Sequence, residues 1–169
     1  MIARPIIFSA PMVRALLAGC KTQTRRLAWQ KPLRPVLLPT VWQRIRPGDR
    51  LWVREIWHPG QVVADYENRF HASVRSISYR ATWESGPTSF AWRSPIHMPR
   101  VASRLTLAVT ATRIERLQAI TAADALAEGV DRDGFAQLWN FLHGPGAWDA
   151  NPWVVALTFT VESIAAEAA

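Results

Sequence analysis

The sequence is poor in the residues that cross-link or clamp small proteins. It has one cysteine, Cys20, in 169 residues, so it can form no internal disulfide and build no cysteine-rich zinc site. A reducing, cytoplasmic setting is the simplest expectation. No run approaches 18 consecutive apolar residues, which predicts that no helix crosses a membrane. Leu16-Leu17-Ala18-Gly19-Cys20 has the shape of a lipoprotein cleavage box, but Pro11 and Arg14 break the apolar segment such a signal needs. The sequence also lacks a glycine-rich phosphate loop, a Gly-x-Ser-x-Gly elbow, a His-Glu-x-x-His pair and a Cys-x-x-Cys pair. His58, His71, His97 and His143 stand singly, so neither a metal site nor a cofactor is expected.

Lysine is nearly absent too. Of 20 cationic side chains 18 are arginine; the lysines are Lys21 and Lys31. Against 13 acidic residues the net charge is +7, and it is unevenly spread. Residues 1–60 carry 11 basic and two acidic side chains, residues 61–116 carry eight and four, and residues 117–169 carry one and seven. A chain that is cationic for two thirds of its length suits a polyanionic partner, with nucleic acid first in line. The plainer explanation is a general preference for arginine over lysine.

The length fits one domain with a core of its own. Patterning predicts an α+β chain. Ile6-Ile7-Phe8 reads as a strand; Ser9 caps a helix that carries Met12, Val13, Leu16 and Leu17 on one face and stops at Gly19. Four prolines make residues 31–47 mostly loop, and Arg50–Glu55 reads as a strand. An irregular insertion spans about 58–100, with a strand near Ser76–Trp83. Leu105, Leu107 and Val109 alternate with polar residues in a half-exposed strand. Thr121-Ala122-Ala123-Asp124 opens a short helix as a capping box, and Gly129 closes it. Phe135, Leu138, Trp139 and Leu142 mark a second helix ending at Gly144-Pro145, and Trp153–Val161 alternates as a closing strand. Helices and strands do not alternate regularly, which disfavours a parallel doubly wound sheet and points to a small mixed barrel.

The densest chemistry lies in Gly19-Cys20-Lys21-Thr22-Gln23-Thr24-Arg25-Arg26, where the first helix ends. Three neighbouring cations disfavour one another's charged form, and arginine does not give up its proton, so the shift falls on Lys21. A lysine with a lowered pKa can act as a general base for a threonine hydroxyl. The alternative is that Lys21, Arg25 and Arg26 form an exposed basic strand that contacts phosphates. Elsewhere Trp52, Trp57 and Trp92 adjoin Arg54, His58 and Arg93, an interleaving suited to stacking unpaired bases but equally to packing. Trp139 and Trp153 fit core stripes. His97 and Arg100 lie in a proline-braced loop that can line the same cleft.

The pattern Gly19-x-Lys21-Thr22-x-Thr24-x-Arg26 resembles the signature of the ASCH domain, a branch of the PUA-like superfamily. The resemblance continues through Gly48-Asp49-x-Leu51-x-Val53-Arg54, the strand near Ser103–Thr112, Thr121–Gly129 and Trp153–Phe159. Pro5–Ser9, Ile96–Arg100 and Trp148–Trp153 are similar to the larger ASCH proteins of phages and prophages. It implies a single PUA-like domain over 1–169: a mixed, mostly antiparallel β-barrel with flanking helices. It also implies a link to RNA or modified nucleosides. In the family's N4-acetylcytidine amidohydrolases the catalytic lysine, threonine and glutamate fall on Lys21, Thr24 and Glu128 here. Those short relatives lack most of the 58–100 segment.

Two functions follow from these readings. One is a metal-independent amidohydrolase on an N4-acylated cytidine or related nucleoside, with Thr24 as nucleophile, Lys21 as base and Glu128 positioning Lys21. The other is a non-catalytic module that binds RNA or single-stranded DNA. Arg25, Arg26, Trp52, Arg54, Trp57, His97 and Arg100 are the expected nucleic-acid or nucleoside contacts. A ribonuclease is a weaker third option, because no histidine pair supports it. Glu128 sits where a carboxylate opposes the helix dipole, so a cation is expected to face it. Lys21 and Thr24 share one pocket only if residues 21–24 bend away from a regular strand.

Overall fold

A computed structural model describes residues 3–30, 38–59, 62–64, 70–72, 77–84 and 91–164. The chain opens with strand β1 (Ala3–Ile7), helix α1 (Ala10–Leu17) and strand β2 (Gln23–Leu27). Strands β3 (Arg50–Arg54), β4 (Trp57–His58), β5 (Val62–Ala64), β6 (Phe70–Ala72) and β7 (Ser78–Tyr79) follow. A long strand β8 (Leu105–Arg116), helices α2 (Ala122–Glu128) and α3 (Arg132–His143), and a second long strand β9 (Trp153–Ile164) complete it. Five strands form one sheet in the order β1-β3-β8-β9-β2. The β1–β3 pair is parallel, whereas β2–β9, β4–β7 and β5–β6 are antiparallel.

The α+β class and the inner position of the last strand follow the pattern read from sequence. The closed barrel does not appear: β1 and β2 are the two ends of the strand order, so the sheet stays open among the described residues. Pro5 suits β1 to an edge, since proline has no N–H to donate to a further strand. The strand expected near Ser76–Trp83 is only Ser78–Tyr79, followed by a 3-10 turn over Arg80–Thr82; Ser76 lies outside the described residues, as do parts of the 31–47 and 58–100 segments.

The chain divides into two compact units. The first comprises Ala18–Asp49 and Ala108–Thr160. Its core is Leu117, Ile120, Ala125, Phe135, Trp139 and Val154, with Leu27, Val130 and Trp148 packed against them. Burying each large apolar side chain is worth about 1.5–3 kcal/mol. Helix α2 starts as expected: the Thr121 hydroxyl accepts from the Asp124 N–H, and the Asp124 carboxylate accepts from the Thr121 N–H. It ends at Gly129, whose φ of 94° is the left-handed conformation that glycine adopts without strain. Val154–Leu157 of β9 are all buried, as expected of a strand covered on both faces. Simple alternation therefore misplaces Trp153, which is 42% exposed at the strand's start.

The second unit comprises Ala3–Leu17, Arg50–Leu107 and the end of β9. Val13 and Leu16 are the buried residues of α1, and Trp57, Met98 and Ala102 form a small core with Ile77 and Tyr79. Buried within this unit, Arg104 Nε and Nη2 donate to Glu55 Oε1 and Oε2 at 2.9 and 3.1 Å.

Candidate functional site

Residues 20–22 precede the regular strand, and Gly19, at φ 71°, turns the chain out of α1. The Thr22 N–H donates to the Ala127 carbonyl at 2.8 Å, and its carbonyl accepts from Phe159 at 2.9 Å. These bonds fix Lys21 against the last turn of α2. Its ammonium donates to Glu128 Oε2 at 2.7 Å and to the Glu128 carbonyl at 2.9 Å. The lysine thus answers both charges at that helix end, the carboxylate and the negative pole of the dipole. Lys21 and Glu128 are both buried. Burial lowers the Lys21 pKa, Glu128 opposes the shift, and Arg26 and Arg25 add to it. The direction is the one read from sequence, but burial rather than the neighbouring arginines is its main cause.

Beyond residue 22 the strand alternates. Gln23 and Arg25 form one pair, and Arg25 Nη1 donates to Gln23 Oε1 at 3.3 Å. Thr24 and Arg26 form the other: Arg26 Nη1 donates to Thr24 Oγ1 at 3.0 Å, and its guanidinium lies over the Trp42 ring. Thr24 is 1% exposed. Of the three expected residues, Lys21 meets Glu128, and the Thr24 hydroxyl accepts from Arg26.

Arg25 does not lie on a surface where it could meet phosphates. Its side chain is fully buried and is the hub of an ion network. Nη2 lies 2.8 Å from Glu115 Oε1 and 3.2 Å from Asp124 Oδ2, and Nη1 lies 3.3 Å from Glu128 Oε1. Arg113, more exposed, bridges Glu115 and Asp124 at 2.8 and 2.7 Å, and Gln23 Nε2 donates to Asp124 Oδ1 at 3.0 Å. Burial works against the Asp124 carboxylate, but hydrogen bonds from Arg113, Gln23 and Thr121 outweigh it and hold its pKa well below the usual range. Lys21, Arg25 and Arg113 thus face Glu115, Asp124 and Glu128, a cation for each anion. Among the described residues no three His, Cys, Asp or Glu side chains come together as a metal site. The hub was readable in part: Asp124 and Glu128, four apart on α2, share a face and need cations.

The other expected contacts lie in the second unit. Trp52 and Trp57 are buried, so they do not serve as open stacking platforms. Arg54 lies 4.6 Å from the Trp52 ring centre and donates to the Ile96 carbonyl; Arg93 lies over Trp57. In these pairs each guanidinium lies over an indole ring of the same chain. His97 and Arg100 are exposed, each in a 3-10 turn. No helix among the described residues is long and apolar enough to cross a membrane.

No family model matches the sequence, and no curated protein is similar to it. Among solved structures, the chain is similar to a protein of Enterococcus faecalis assigned to the DUF984 family model. That similarity has 12% identity and a TM-score of 0.47, covering 97% of this chain and 82% of the other. An ASCH domain from Lactobacillus crispatus is similar at 12% identity and a TM-score of 0.43, covering 95% and 79%. Both similarities are distant.

Proposed function

We propose that this chain is a PUA-like, ASCH-type module that binds single-stranded nucleic acid, RNA or DNA. The observation that carries the reading is how its charges are used. In the first unit the carboxylates Glu115, Asp124 and Glu128 are taken up internally by Lys21, Arg25 and Arg113. Among the described residues the exposed Arg46, Arg116 and Arg132 donate instead to backbone carbonyls, which are neutral. Such a surface attracts phosphates by releasing their counterions. The family reading is supported by the signature residues Lys21 and Glu128, 107 positions apart, meeting at 2.7 Å. The test is binding of a labelled single strand over a salt series. Affinity should fall linearly on a log–log plot, with a slope of about 0.7 per phosphate contact. No binding at low salt overturns the module.

One observation favours a second reading, hydrolysis of an N4-acylated cytidine: Lys21 is buried, its pKa is lowered, and Glu128 positions it. In that reaction Lys21, in its neutral form, takes the Thr24 proton as Oγ1 attacks the acyl carbon. The C–N bond then breaks, the amine leaves with the proton from Lys21, and water releases the acyl group from Thr24. The step requires the Thr24 hydroxyl, which accepts from Arg26, to donate its proton to Lys21. A screen of N4-acylated cytidines decides it: loss of turnover in both Lys21→Ala and Thr24→Ala supports the hydrolase, and turnover that survives either removes it.

A further inference from the structure

The register of the first unit brings three side chains to one end of its sheet. β2 pairs with β9 so that Leu27 lies opposite Val154, and the Ala28 N–H continues the ladder to the Trp153 carbonyl at 3.0 Å. Trp29 and Trp153 therefore leave the ladder at the same end. The Leu117 N–H donates to the Pro152 carbonyl at 2.9 Å, which brings the end of β8, with Arg116, to the start of β9. Together with Trp139 and His143 of α3 and the neighbouring Gln30, these residues line a cavity of about 450 Å³, within the range of small-molecule sites.

The wall is built and held, not left over from folding. The Arg116 guanidinium lies 4.6 Å from the centre of the Trp153 ring, and its Nη1 donates to the Asn151 carbonyl at 3.1 Å. Asn151 adopts a left-handed φ of 43°, which asparagine tolerates better than most residues, and its Oδ1 accepts from the Gln118 N–H at 2.9 Å. Trp29 is fixed by a β-bridge to Pro39. Trp139 packs on His143 with ring centres 4.2 Å apart, and its indole N–H has no hydrogen-bond partner although it is buried. Trp29 and Trp153 stay 36% and 42% exposed, so part of each ring is open to a stacking partner.

We infer that this cavity seats the base of one unpaired nucleotide between the tryptophans, with its phosphate on Arg116. Three observations choose that occupant. The wall includes the rings of Trp29, Trp139, His143 and Trp153, and every nucleobase has a π-face that stacks on such rings. The cation at the rim donates to a neutral carbonyl and complements a phosphate. The chain as a whole carries +7. The inference rests on the nucleic-acid reading above and adds a site to it; it is independent of Lys21 and Thr24.

The same chemistry is offered by a nucleotide within a strand and by a free nucleoside monophosphate, so the test uses both. A short labelled single strand, its abasic counterpart and the free monophosphates are titrated against wild type, Trp29→Ala, Trp153→Ala, Arg116→Ala and Arg116→Lys. Thermal melting confirms that the variants fold. The base-containing strand should bind more tightly than the abasic one, and Trp153→Ala should erase that preference, a loss of about 5- to 140-fold. Arg116→Ala should reduce the salt slope by about 0.7, and Arg116→Lys should restore it. Binding of monophosphates that is equally sensitive to Trp153→Ala identifies the free nucleotide as a source. Should the two strands bind alike, or the tryptophan variants bind as wild type does, the cavity is not the base site while the nucleic-acid reading stands. Should neither strand nor any monophosphate bind, both fall.

Discussion

Each unit of this protein buries ionised side chains, but in different ways. In the second, Glu55 and Arg104 form an isolated pair, with both carboxylate oxygens on one guanidinium. Thr82 and the face of the Tyr79 ring complete the arginine's surroundings. In the first, Arg25 alone holds three carboxylates drawn from β8 and α2, and Lys21 adds a second cation at Glu128. An isolated pair can be exchanged for apolar residues, because its attraction barely exceeds the cost of removing both charges from water. A hub is harder to exchange, because removing it takes one cation from three carboxylates at once and leaves them to Lys21 and the more exposed Arg113. The difference teaches that the residues following Gly19 hold α2 against β2 whatever else they do. A signature strand can thus be required by the fold before it is required by chemistry.

The largest expected effect breaks the comparison at its centre. Arg25→Met should cost about 3–5 kcal/mol in urea unfolding, the range for leaving buried charge uncompensated. The double variant Glu55→Leu with Arg104→Met, which removes both charges of the isolated pair, should be near neutral. Equal losses in the two experiments would erase the distinction between hub and pair.

Lys21→Met should come next, at about 1–3 kcal/mol, the cost of leaving a buried acceptor unsatisfied. It is smaller because Arg25 Nη1 still holds Glu128, at 3.3 Å. If it matches Arg25→Met, Lys21 carries the network and Arg25 does not.

How much of this could be read from sequence depends on the range of the interactions. The capping box at Thr121 and Asp124 and the stop at Gly129 are local chemistry, and they were legible. Lys21 opposite Glu128 was legible because a carboxylate at a helix C-terminus calls for a cation, and because the signature resembles a known one. Arg25 was misplaced on the surface: its acidic partners lie 90 to 103 positions away, and no local pattern links them. The pair Glu55 and Arg104 was missed for the same reason, at a separation of 49. Alternation alone puts Trp153 in the core, and it fails where a strand begins at the end of a sheet. Trp52 and Trp57 look like stacking platforms in sequence, but burial decides their role, and burial is set by the whole chain.

The smallest expected effect is one of pH, and it sharpens the comparison by sign. In the network Asp124 has a lowered pKa: burial opposes its charge, and hydrogen bonds from Arg113, Gln23 and Thr121 more than compensate. Between its folded pKa and the unfolded value of about 3.9 the native state binds fewer protons than the unfolded state. Its contribution is therefore present above about pH 3.9 and is lost as the pH falls through the folded pKa. Glu55 is the reverse. Burial raises its pKa, and Arg104 offsets this only in part. From about pH 4.3 upward the native state binds the extra proton, so that contribution is present below this pH and is lost as the pH rises through the folded value. Urea unfolding of Asp124→Asn should show a flatter fall in stability below pH 4 than wild type. Glu55→Gln should remove a decline above about pH 4.3 and leave the acid limb unchanged. If both variants altered the same limb, the two units would not differ in how they hold their charge, and the contrast between hub and pair would rest on the substitutions alone.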